Sequence, residues 1–185
     1  MARKQLGFTL IELLVTVSLS VILMMVATSV LITFMTGSVK NTKNRRIKNE
    51  GDHAMNLMKQ QLQNSLKLTM NSDLQECESD MKSIAFRSLD GGITEFLVEK
   101  DSDDNNKHKI ASNSGKYLTS GSVDLINLNT KGDAQYINFK CVSAANGPGK
   151  HITIKFGLRK GNPSLDRAYE VSEQHFTAGV TLRNY

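Results

Sequence analysis

The chain has 185 residues and a formal net charge of +5, with 39% hydrophobic and 22% charged side chains. That length suits one ordinary domain with an appendage, and a cysteine count of 2 excludes a disulfide-dense scaffold and a four-cysteine zinc site. Apolar residues crowd the start while later segments alternate cleanly, a pattern that excludes a disordered chain, a collagen, a long coiled coil and a multi-pass membrane protein.

Residues 1–7 are short and polar, with Arg3 and Lys4. Residues 8–35 are mainly apolar, and no charged side chain occurs from Leu13 to Val39. A bilayer core needs about 20 helical residues. Residues 8–36 are therefore long enough to span, and no Pro or Gly interrupts them. A secretory signal is a shorter alternative: it has an apolar stretch of about 7–15 residues followed by a small-residue cleavage site. Here the stretch is about twice that, although Thr36, Gly37 and Ser38 after it are small.

Glu12 conflicts with a plain membrane helix. A charge at the centre of such a helix costs about 2.5 to 3.5 kcal/mol. Each Leu, Ile, Val or Phe returns roughly 0.3 to 0.6 kcal/mol, so insertion still prevails. The carboxylate either has a partner in the membrane or lies near the end of the run and snorkels to the headgroups.

Gly7-Phe8-Thr9-Leu10-Ile11-Glu12-Leu13-Leu14-Val15 resembles the N-terminal signature of type IV prepilins and type II secretion pseudopilins. The shared array is a short basic leader, Gly at its end, Phe next, Glu four residues later, then an unbroken apolar helix. The resemblance covers the first 35 or so residues. It implies that a membrane peptidase cuts between Gly7 and Phe8 on the cytoplasmic side. It also implies that Phe8 becomes the N-methylated amino terminus. Glu12 then meets the ammonium of a neighbouring subunit when helices bundle. In a low-dielectric core that pair acts as a register device, because either partner alone is costly. The ending Val180-Thr181-Leu182-Arg183-Asn184 resembles the larger minor pilins and pseudopilins. The chain departs from many pilins in lacking a Pro in the apolar helix; its prolines are Pro148 and Pro163, and the helix's first Gly is Gly37.

Lys40, Lys43, Arg45, Arg46 and Lys48 follow the span and outnumber Arg3 and Lys4. For a plain anchor, the positive-inside rule would put the large domain in the cytoplasm. The prepilin resemblance puts it outside. The run reads as a solvated helix face near lipid headgroups or acidic neighbours. Nucleic-acid contact is the sharper reading, but no aromatic residue interleaves with these cations. Residues 37–70 are expected to continue the helix, with Ala54, Leu57, Met58, Leu62 and Leu66 as its apolar stripe and Gly51 as a flexible point.

Residues 71–185 read as an antiparallel sheet domain. Residues 83–89 and 93–99 form a hairpin around Asp90-Gly91-Gly92. Inward faces are Ile137, Phe139 and Cys141; Ile152, Ile154, Phe156 and Leu158; and Phe176, Ala178, Val180 and Leu182. The predicted fold class is α+β, pilin-like: a long N-terminal helix packed on one sheet face. Cys77 and Cys141 either bridge outside the cytoplasm, for on the order of 4 kcal/mol in the loop-entropy view, or stay two buried thiols. Asp101, Asp103 and Asn105 form a candidate calcium site, but Asn106 stands where the EF-hand needs Gly and Ser112 where it needs Glu. A solvated loop over 100–116 is the competing expectation.

No enzyme is expected. His53, His108, His151 and His175 are scattered, and neither HExxH, Cys-x-x-Cys nor G-x-S-x-G occurs. The sequence therefore reads as a minor structural subunit of a pilus or pseudopilus, crossing the cytoplasmic membrane once with its C-terminal domain extracytoplasmic. Calcium is the one cofactor in question. The resemblance implies other pilins, the prepilin peptidase and the inner-membrane assembly platform as partners. The alternatives are a non-assembling single-pass binding protein and an adhesive or DNA-uptake tip subunit.

Overall fold

A computed structural model describes residues 9–69, 78–102, 104, 106–129, 132–143 and 149–182. The chain divides into two units, Met1–Val39 and Lys40–Tyr185. Helix α1 (Leu10–Gln63) runs through both.

In the first unit the helix is apolar and uncovered. Leu10 is 80% exposed and Phe34 77%. The hydroxyls in this segment are satisfied locally. Thr16 donates to the Leu13 carbonyl, Ser18 to Leu14, Ser20 to Thr16, Thr28 to Met24 and Thr33 to Ser29. Such back-bonding lets a hydroxyl enter lipid without an orphan donor.

In the second unit the helix buries Ile47, Gly51, Ala54, Met55, Met58 and Leu62. These recur at helical spacing, and fully burying each large one contributes about 1.5–3 kcal/mol. Gly51 is a packing residue rather than a flexible point. A methyl there would lie 2.1 Å from Cζ of Phe176, so glycine lets that ring rest on the helix backbone. The helix stops at Gln63, short of residue 70, and Leu66 falls beyond it. Ser65 caps the end by donating to the Leu62 carbonyl, and the Leu66 amide already bonds to the Arg87 carbonyl.

Among the described residues the strands form two antiparallel sheets, where one was expected. The first sheet is a meander of β1 (Lys67–Leu68), β2 (Ile84–Arg87), β3 (Ile93–Lys100), β4 (His108–Ser112) and β5 (Lys116–Tyr117). The β2–β3 hairpin is the expected one, turning at Gly91 with φ +85 while Asp90 accepts from the Gly92 amide. Phe86 and Phe96 pack across it with ring centroids 5.3 Å apart.

The second sheet contains β6 (Asp124–Leu125), β7 (Ile137–Ser143), β8 (Lys150–Lys160) and β9 (Ser172–Thr181). Strand β8 is its centre, with β6 and β7 along one edge and β9 along the other. The inward faces are the predicted ones: Ile137, Phe139, Cys141, Ile152, Ile154, Phe156, Leu158, Phe176, Val180 and Leu182 are buried, and Ala178 packs against them. The two sheets meet where the His108 amide donates to Asp124, which also takes Arg159 at 3.1 Å.

The segment 100–116 is not a solvated loop. It supplies β4 and the start of β5, and it buries a charge pair. Lys109 Nζ lies 2.7 Å from Asp101 Oδ1, with side chains 9% and 3% exposed. The same ammonium stands 4.8 Å from the centre of the Tyr117 ring. Mutual neutralisation allows these two charges to be covered.

Candidate functional site

The N-terminal end of α1 carries the one acid of the apolar segment. Thr9 precedes the helix and Glu12 lies in its first turn. The Thr9 amide and hydroxyl each donate to Glu12 Oε2 at 3.4 Å, and the Glu12 amide donates to Thr9 Oγ1 at 3.4 Å. This reciprocal arrangement is a capping box: a threonine cap and a glutamate three residues on satisfy each other's end of the helix. The bonds are long, and they leave the carboxylate with lone pairs to spare. A negative charge is also favoured at this end by the helix dipole. Among the described residues no cation pairs with Glu12 at the helix start.

Thr9 is the residue that the sequence reading missed. Its signal was present as Thr9-x-x-Glu12, a cap-box spacing before an apolar run.

Gly7 and Phe8 lie outside the described residues, as do Cys77, Asp103 and Asn105. Cys141 is disulfide-bonded, on the inner face of β7. Of the calcium candidates, Asp101 is engaged by Lys109. Its neighbour Asp104 is held below the ordinary carboxylate range, first by a hydrogen bond from Lys107 and then by the Asn106 amide. Among the described residues no group of three or more His, Cys, Asp and Glu stands together as a metal site.

The basic run after the span is partly drawn into the second unit. Lys43 donates to the Glu170 carbonyl and Ser172 donates to Asn44. Glu50 accepts from the Ser120 amide and hydroxyl. Lys160, on β8, is pushed below the usual lysine value by burial and then by the nearby charges of Arg46 and Lys43, which Glu50 partly offsets. Arg45, Arg46 and His53 instead line an open outer groove on the helix.

Helix α1 is long and apolar enough to cross a membrane. No curated protein and no solved structure matches the chain. The prokaryotic N-terminal methylation motif matches residues 2–28. With the apolar helix that continues it, this motif indicates single-pass membrane anchoring and marks the chain as type IV pilin-like or pseudopilin-like.

Proposed function

We propose that this chain is a minor structural subunit of a type IV pilus or a type II secretion pseudopilus. Prepilin peptidase cuts between Gly7 and Phe8, and Phe8 is methylated at its new amine. That amine pairs with Glu12 of an adjacent subunit. The observation that carries the reading is the methylation motif running into an apolar segment whose one acid, Glu12, meets Thr9 and no cation among the described residues. A subunit at the wrong axial offset leaves Glu12 and an ammonium unpaired in a low dielectric, at several kcal/mol per charge. The pair therefore sets register among helices that greasy packing alone would let slide. Other pilins and the inner-membrane assembly platform are the partners this requires.

The extracytoplasmic placement of the second unit is supported by the disulfide at Cys141, since such bonds persist in oxidising compartments. We pair Cys141 with Cys77, the chain's other cysteine. A non-assembling single-pass anchor is the second reading, favoured by the cations from Lys40 to Lys48 and the positive-inside rule. Intact mass of the protein from its native cell separates the two. The assembling subunit starts at Phe8 with one added methyl, whereas a full-length chain starting at Met1 refutes processing.

A further inference from the structure

The outward face of the second sheet carries a cation and ring pattern that is invisible along the sequence. On β7 the exposed side includes Lys140, and on β8 Lys155 and His151. On β9 it includes His175. Strand register brings them together. Lys140 lies opposite Thr153 and Lys155 opposite Thr177, with Gly157 opposite His175. His175, Lys155, Lys140 and His151 are thus successive diagonal neighbours across three strands, at about 7–8 Å per step. The outward positions 138–142, 151–157 and 175–181 contain no carboxylate. The flanking acids are Asp80, which accepts from Asn138 at 2.9 Å, and Glu173, which lies 3.8 Å from Arg159.

Two glycines shape this face. A methyl on Gly157 would lie 2.9 Å from the His175 ring, and one on Gly179 2.8 Å from the His151 ring. The imidazoles therefore lie down over bare backbone, as aromatic rings do over sheet glycines. The result is two cations between two flat rings. Lys140, Lys155, His175 and Thr177 also line a depression of about 580 Å³, with the flanking Asp80 on its wall.

We infer that this face binds single-stranded nucleic acid. Neighbouring lysines suit successive phosphates of an extended strand, and exposed flat rings suit unstacked bases. A base-paired duplex hides those bases. The face is separate from the basic run on α1, and its binding does not depend on whether the chain assembles.

The test is fluorescence anisotropy of labelled oligothymidine with the full chain in mild detergent, at low and at physiological salt. Binding should weaken with salt. Lys140→Gln with Lys155→Gln should weaken it at least about tenfold and lower the salt slope by about 0.7 per lysine. His151→Ala with His175→Ala should weaken it about tenfold and leave the slope unchanged. Arg45→Gln with Arg46→Gln should leave affinity intact. Circular dichroism and thermal melting confirm that each variant is folded. The inference is overturned by absence of binding at low salt, or by wild-type affinity in folded sheet variants. It is equally overturned by a loss that follows Arg45 and Arg46, or by duplex DNA or heparin binding as tightly as the oligonucleotide.

Discussion

The two units of this chain solve opposite problems. In residues 9–39 no side chain is buried, and the surface is mostly Leu, Ile, Val, Met and Phe with Ser and Thr between them. In residues 40–182 the apolar side chains close on one another, and the exposed surface is mainly polar. The first unit cannot be stable in water and gains its stability from lipid or from other helices. The second carries its own core. Their polar groups differ accordingly. Asp101 is answered from within, by Lys109. Glu12 meets the cap of Thr9 and no cation among the described residues. An acid answered inside the chain stabilises a fold, while an acid left open at a helix end is available to a partner.

Breaking the inner pair should have the largest effect on stability. Asp101→Asn leaves the Lys109 ammonium buried without its counter-charge and should destabilise the second unit by about 3–5 kcal/mol. Chemical denaturation in detergent reads this. Replacing both, as Asp101→Leu with Lys109→Met, should recover most of the loss.

Gly51→Ala is the next largest. Its methyl would collide with the Phe176 ring, so the helix and β9 must part, at about 1–3 kcal/mol. A gain in stability would instead mark Gly51 as the flexible point that the sequence suggested.

Thr9→Ala acts in the other unit and should leave unfolding of the second unit unchanged. It removes the cap worth about 1 kcal/mol to the helix start. The expected readout is faster amide hydrogen exchange confined to the first turn of α1.

The smallest effect concerns pH. Lys160 sits below its ordinary 10.5 because burial and then Arg46 and Lys43 disfavour its charge. Between its folded value and 10.5 the unfolded chain binds more protons than the folded one, so stability rises with pH there. Lys160→Gln should flatten that rise in denaturation measured across the alkaline range, relative to wild type.

What was legible in the sequence follows the same division. The span and Glu12 were plain because one charge among apolar residues stands out in any window. The hairpin at Asp90-Gly91-Gly92 and the strands β7, β8 and β9 were plain because period-2 alternation survives over their length. The strand β4 was hidden because Lys109 and His108 make it look solvated, and neither the Lys109–Asp101 pair nor the bond from the His108 amide to Asp124 shows in a period-2 pattern. Strands β1 and β6 have 2 residues each, too short for any period. Gly51 read as a weak point because the ring that needs it arrives from residue 176. The cationic sheet face was out of reach for the same reason, as its residues converge only through register.

On the reading proposed above, Glu12 is held for a neighbour's amino terminus. The most direct measurement is the distribution of Glu12→Ala subunits between the membrane pool and the sheared filament fraction of the native cell. Unchanged membrane levels with at least a tenfold loss from filaments are expected. Wild-type incorporation of that variant would contradict the claim.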